Sequence, residues 1–339
     1  MDNKFWKGKH VVVCGGASFI ASHTIAELLK LGVYTTAVDD LSSGKRENLP
    51  AHSPLLVGDL RDYGFAKSAT RGADIILDFS SVHGGRGFVG TNHDIAISDN
   101  LIINANVARA SAENGVERIA FSSSGCVYDT RRQMNENVHF QIPETWDNHD
   151  ASMYPDGMYG LTKAVHERVL RAYHKDEKMK VAICRFFTVF GARMKENHFI
   201  LASIAKSFIK TDPFYVWGTG DEVRNFTPVQ NTVQGFLLAT EKANGEIYNI
   251  GLEERITINY ALESIWKIMG WRPKDIIYQP DKPVGIRNRV ADCTKAREEL
   301  GWKPTVSFED GLSETIKWYT STHDEEMVKY KLEGLLTSR

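Results

Sequence analysis

The stretch from His10 to His23, HVVVCGGASFIASH, constrains this chain more than any other. Val11, Val12 and Val13 are consecutive β-branched residues, the composition of a strand enclosed on both faces. Gly15 and Gly16 follow as a turn. Ile25, Leu28, Leu29 and Leu31 then recur at helical spacing up to Gly32, a residue suited to a helix end. Strand, tight turn and helix bring backbone N–H groups and a helix N-terminus to one point, the geometry that receives a pyrophosphate. Set on the G-x-x-G-x-x-G spacing of dinucleotide turns, Gly15 matches, Ser18 takes the second position and Ala21 the third. Alanine still lets the helix lie close to the sheet, whereas serine adds a side chain where phosphates must approach.

A second strand, Tyr34–Val38, ends in Asp39-Asp40. An acid about 20 positions after the glycines binds the adenosine ribose hydroxyls and selects NAD over NADP, which gives that role to Asp39. Phe19 and Ile20, at the start of the helix, join the expected cofactor contacts. Leu55–Val57 reads as a third strand running into Gly58-Asp59-Leu60, where Asp59 is placed to accept from an adenine amino group with Leu60 beside it. Ile75–Phe79 is a fourth, opening into Ser80–Phe88. The glycines of that loop, Gly84 and Gly85 flanking Arg86 among them, allow close backbone approach to a ligand. Alternating strands and helices to about residue 122 predict an α/β fold, a Rossmann-type doubly wound parallel sheet.

The 339 residues, 42% of them apolar, suffice for one large core or two modest ones. A net charge of −2 and a pI near 6.6 give no footprint for nucleic acid. No apolar run approaches the roughly 20 residues of a membrane span, and the first ten residues are polar rather than signal-like. Cys14, Cys126, Cys184 and Cys293 are far apart, with no zinc spacing, so no metal is expected and a reducing, cytoplasmic setting is.

The chemistry concentrates in Met158-Tyr159-Gly160-Leu161-Thr162-Lys163, read as a helix through about Tyr173. Tyr159 and Lys163 are four apart and share a face. A neighbouring ammonium favours the phenolate, so the pair can take a hydroxyl proton while hydride leaves the same carbon for nicotinamide. Ser124, closing the strand Arg118–Ser124, would hydrogen-bond the forming carbonyl. The long segment Ile95–Glu113 carries apolar residues on more than one face, as a helix buried between the sheet and another surface does.

With Asp39-Asp40-Leu41-Ser42-Ser43-Gly44, Gly58-Asp59-Leu60-Arg61-Asp62, Arg224-Asn225-Phe226 and Leu300-Gly301-Trp302-Lys303-Pro304, these features resemble the extended short-chain dehydrogenase/reductase superfamily of nucleotide-sugar epimerases and dehydratases, over roughly residues 8–320. The resemblance implies an NAD-binding domain (1–187 and about 232–252), a smaller α+β domain for a nucleotide-diphosphate sugar (about 188–231 and 253–325), a peripheral tail (326–339), and a homodimer built on helices near 95–113 and 159–173. Arg224 with Arg287 or Arg289 would clamp the diphosphate, since guanidinium forks match phosphate oxygens. Asn197 joins the implied substrate contacts.

Within the superfamily, Gly84-Gly85-Arg86-Gly87-Phe88 and Ser123-Ser124-Gly125-Cys126-Val127-Tyr128 are similar to the GDP-mannose 3,5-epimerases, in which the matching cysteine is an acid/base. A thiol suits proton exchange at C3 and C5 beside a 4-keto group. Those enzymes oppose the cysteine with a lysine; here His198 stands at its place, with Lys195 close by. Thr188 and Asn231 depart from the usual asparagine and aspartate. The expected activity is an NAD-dependent epimerisation through a transient 4-keto-sugar. Two alternatives stay open: a UDP-hexose or UDP-hexuronate 4-epimerase in which Cys126 is a bystander, and a weakly catalytic NAD-binding scaffold or sensor, favoured by Ser18.

Overall fold

A computed structural model describes residues 1–83, 93–134, 144, 154–282 and 284–337, the last five as backbone only. Its centre is a seven-stranded sheet of β1 (His10–Cys14), β2 (Tyr34–Asp39), β3 (Leu55–Val57), β4 (Ile75–Asp78), β5 (Arg118–Ser124), β6 (Lys180–Phe186) and β7 (Glu246–Ile250). The spatial order is β7-β6-β5-β4-β1-β2-β3, and every pairing is parallel. Strand order reverses between β1 and β4, which opens a crevice at their carboxyl ends. The expected doubly wound sheet is therefore present.

Helices α1 (Phe19–Lys30), α2 (Tyr63–Ala69), α3 (His93–Glu113), α4 (Gly157–Glu177) and α6 (Val229–Lys242) cover the sheet; α5 (Phe199–Phe208), α7 (Ile258–Met269), α8 (Phe308–Thr322) and α9 (Glu325–Thr337) build a second layer of structure. Side chains alternate across β1. Val11 and Val13 pack with Ile25, Leu28, Val233 and Phe236 on one face, and Val12 and Cys14 with Val107 and Leu170 on the other. Each valine is wholly buried, contributing on the order of 1.5–3 kcal/mol. Helix α4 runs one turn past Tyr173 and stops where Lys178 turns left-handed at φ 58°. No glycine marks that stop, so the sequence ends the helix early.

A separate core gathers Phe190, Ile204, Phe214, Phe226, Trp266 and Phe308. Beside it, the short strand Val223–Arg224 lies between Ile256–Thr257 and Asn288–Arg289, which sets Arg224 and Arg289 as register partners. Val328 of α9 is buried in this core. Among the described residues, no helix is long and apolar enough to cross a membrane.

Candidate active site

The turn after β1 is shaped by contact rather than by phosphate geometry alone. Gly15 has φ +69°, and a Cβ there would meet the Phe79 carbonyl at 2.9 Å; at Gly16 it would meet the Ala37 Cβ at 2.6 Å. Both amides donate to the Val38 carbonyl, at 2.8 and 3.1 Å. Ser18 caps α1 with φ −78° and ψ 173°, extended backbone open to any residue, so serine costs no strain here. Ala21 is wholly buried against the sheet. Phe19 and Ile20 are half-buried at the helix start.

Asp39 closes β2 and is 7% exposed. Its carboxylate accepts from the amides of Ala17 and Leu41, both at 2.9 Å, which locks the turn to the second strand. Burial nevertheless raises its carboxyl above the usual value, those two amides opposing. Leu60 is buried. The Asp59 carboxylate faces Arg61, which donates through Nε at 2.9 and 3.0 Å and also reaches Asp99. That bond outweighs the opposing effect of burial and sets its carboxyl below the ordinary range.

The catalytic candidates meet where β5 ends against α4. Ser124 accepts from the Cys126 amide at 3.1 Å, and its hydroxyl favours the ionised form of the Tyr159 phenol. Gly160 makes the approach possible, because any side chain there would collide with the Cys126 carbonyl. Lys163 is buried, donates to the Ser122 carbonyl at 2.8 Å, and lies 5.6 Å from the Tyr159 ring centre. Burial draws its ammonium down to about 8, against the opposing pull of Asp78, Cys126 and Glu167. The phenol behaves differently from the expectation. Burial pushes Tyr159 above its ordinary value, the Cys126 sulfur adds to this, and only the Ser124 bond opposes it. Lys163 is not among the groups that set the Tyr159 phenol, contrary to the expectation from their spacing.

Two of the candidates take partners other than those expected. Arg289, expected on the diphosphate, is 7% exposed and points at the thiol. Its Nη1 donates to Cys126 Sγ at 3.2 Å, its Nη2 to Asp156 at 3.0 Å and its Nε to Gln133 at 2.7 Å. Lys195, expected opposite Cys126, is exposed and donates instead to Ser43 Oγ at 2.5 Å, on the Asp39 side. His198 does reach the catalytic side. The His83 ring stacks on Tyr159 at 4.3 Å and lies 5.8 Å from His198. Burial, aided by Lys195, lowers the His198 imidazole to about 4. Arg224 is committed to carbonyls of Val223, Val284, Ile286 and Arg287. Arg287 is half-buried and donates its amide to the Gln133 carbonyl; Asn197 is exposed just before α5. Gly84, Gly85 and Arg86 lie outside the described residues.

The sequence reading missed His83, Asp156 and Gln133. Only the stretch Val82-His83-Gly84 carried any signal, as a histidine in the loop after a strand; Gln133 comes from the short helix Thr130–Gln133 and Asp156 from the N-cap of α4.

Residues 11–251 match the NAD dependent epimerase/dehydratase family. The chain belongs to that family. It is 29% identical to GDP-mannose 3,5-epimerase 1 of Oryza sativa subsp. japonica, over 98% of this chain and 86% of the relative. Among solved structures it is similar to UDP-glucose 4-epimerase of Thermotoga maritima with UDP-glucose, at TM-score 0.83 and 28% identity over 92% of this chain and 99% of the other. It is also similar to the UDP-glucose 4-epimerase of Thermus thermophilus in complex with NAD, at TM-score 0.81 and 25% identity over 93% and 100%. Family membership makes the protein an enzyme with NAD as its cofactor. The turn at Gly15 and Gly16, the buried carboxylate of Asp39 and the α1 N-terminus fit the dinucleotide.

Proposed function

We propose that this enzyme is a nucleotide-sugar epimerase of the GDP-mannose 3,5-epimerase kind, working through a transient 4-keto-sugar. The carrying observation is the thiol of Cys126, two residues past Ser124, held by the Arg289 guanidinium on the side where Tyr159 and His83 lie. When bound, NAD supplies a reversible hydride acceptor for C4. Gly15, Ser18, Phe19, Ile20, Asp39, Asp59 and Leu60 would hold it along the carboxyl ends of β1 to β3. Tyr159 would take the C4 hydroxyl proton as the phenolate, a form favoured by the Lys163 ammonium beneath and by the positive charge of a bound nicotinamide, while Ser124 donates to the oxygen as it becomes a carbonyl. Cys126 then exchanges protons at the carbons flanking the ketone, with Arg289 placed to hold the charge on sulfur and His198 the candidate side chain opposed to it. Arg224 is the register partner of Arg289 on the neighbouring strand, Val223 donates to the Arg287 carbonyl, and Arg224 and Arg287 are the remaining candidates to recognise a diphosphate.

The paired cores suit a division of labour. Residues 1–187 and about 232–252 hold the dinucleotide, about 188–231 and 253–325 grip the sugar nucleotide, and 326–339 form a peripheral tail. Ile95, Leu101 and Ile102 of α3 and Met158 of α4 leave 43, 36, 45 and 36% of their surface exposed, apolar area suited to a second copy in a homodimer. The absence of a spanning helix among the described residues supports a cytoplasmic enzyme.

Incubation with GDP-mannose in D₂O tests the chemistry. Deuterium at C3 and C5, lost in Cys126→Ala, is expected; unlabelled sugar ends the role of Cys126. The likeness to two UDP-glucose 4-epimerases favours one second reading, C4 inversion of a UDP-sugar, and there Cys126→Ala keeps most of its turnover.

A further inference from the structure

Under Lys163 lies a pair of side chains that the proposed mechanism does not use. Asp78, the last residue of β4, and His166, one turn after Lys163 on α4, are both wholly buried. Asp78 Oδ2 and His166 Nε2 are 3.5 Å apart, an ion-pair separation short of a formed hydrogen bond. Neither that oxygen nor either ring nitrogen has a hydrogen-bond partner among the described residues. The other carboxylate oxygen accepts from the Ser80 amide at 2.9 Å and from its hydroxyl. A buried carboxylate with one oxygen unsatisfied is costly unless a charge nearby compensates it.

His166 and Lys163 both bear on that carboxylate, and the anion that answers Lys163 follows by elimination. Facing Lys163 are Asp78 from β4, Cys126 from the turn after β5, and Tyr159, His166 and Glu167 from its own helix. Cys14 of β1 faces Asp78, and Arg185 of β6 faces Glu167. Glu167 is already matched: Arg185 grips it through Nε and Nη2 at 2.9 and 2.6 Å, and Ser123 donates to it. That leaves Lys163 and Asp78. Lys163 Nζ and the His166 ring both lie against Phe121, at 4.5 and 4.4 Å, and Phe121 is the cross-strand register partner of Asp78. Ser122 ties the two further, its carbonyl accepting from Lys163 and its hydroxyl donating to the Asp78 carbonyl at 3.0 Å.

We propose that Asp78 is the buried counter-anion that keeps Lys163 charged, and that His166 is the wedge that fixes Asp78 in place. Asp78 is a positioning residue, acting on the reaction through Lys163; its catalytic consequence rests on the Tyr159–Lys163 reading above. Burial lowers the His166 imidazole below its ordinary value, and the Asp78 carboxylate opposes that pull.

The stability of Asp78→Asn against pH tests this without any substrate. Lys163 titrates at about 8 in the folded protein and near 10.5 unfolded, so its contribution to stability rises with pH only above about 8. Without Asp78 the ammonium loses its partner and its folded titration moves lower. The melting temperature of Asp78→Asn is then expected to rise, relative to wild type, by about 2 °C between pH 7 and 8. That interval lies above the ordinary histidine range, and the slope is expected to vanish in Asp78→Asn/Lys163→Met. A pH-independent offset overturns the proposal. Should Asp78→Asn fail to fold, the double variant must recover solubility by removing both charges; failure of both equally overturns it. A second arm follows kcat/KM with GDP-mannose, where the alkaline limb is expected to move down by about one pH unit in Asp78→Asn. A stability slope without a moved limb retains the counter-anion and rejects the Tyr159–Lys163 reading instead.

Discussion

At Gly15 the backbone conformation and the neighbouring Phe79 carbonyl both refuse a side chain. Gly15→Ala is therefore expected to cost at least about 1–3 kcal/mol and to weaken NAD binding, read by melting temperature and by fluorescence titration. Ser18→Gly is expected to change stability little, because the extended backbone at Ser18 asks nothing of glycine. His23 offers a pH prediction. Its ring bonds the Ala192 carbonyl at 2.9 Å, and burial lowers the imidazole to about 4. Because the unfolded chain protonates near 6.5 and the folded one does not, stability falls as pH drops through that window, by about 2 kcal/mol at pH 5. His198, also lowered to about 4, adds to the loss. His23→Gln is expected to lose less melting temperature than wild type between pH 7 and 5.

Helix α4 is the element on which the chemistry converges. Tyr159, Lys163, His166 and Glu167 fall on one side of it because they are three to four residues apart, and that side faces the carboxyl ends of β4, β5 and β6. Glu167 and Arg185 anchor the helix to β6 with both side chains essentially unexposed. Removing one partner strands the other charge in the core, so Glu167→Ala is expected to destabilise by about 3–5 kcal/mol. Glu167→Met/Arg185→Met, which buries neither charge, is expected to recover most of that loss in a denaturant titration.

At the scale of the whole molecule, the apolar surface shared by α3 and α4 bears on assembly. In the proposed homodimer, Ile102→Glu sets a charge against its symmetry mate and is expected to halve the mass seen by light scattering; an unchanged mass places the interface elsewhere. The doubly wound sheet, the Gly15 turn, the acid at Asp39 and the Tyr159–Ser124–Lys163 cluster were all legible from local patterns. Hydrophobic periods, turn residues and an i, i+4 spacing act over a few residues and need no knowledge of distant chain. Arg289 was legible only as a cation in a diphosphate-like segment, and Lys195 only as a cation near the right place. Their partners, Cys126 with Asp156 in one case and Ser43 in the other, come from parts of the chain separated by more than a hundred residues.

The sequence by itself determined the α/β architecture, the dinucleotide turn and the residues able to pass a proton and accept a carbonyl, because each depends on backbone preference and near-neighbour spacing. Only the tertiary structure decided which charges face one another. It turned Arg289 toward the Cys126 thiol, left Lys195 near the ribose acid, and raised the Tyr159 phenol by burying it. Desolvation and ion pairing depend on which distant segments the fold encloses together, and no local pattern carries that information.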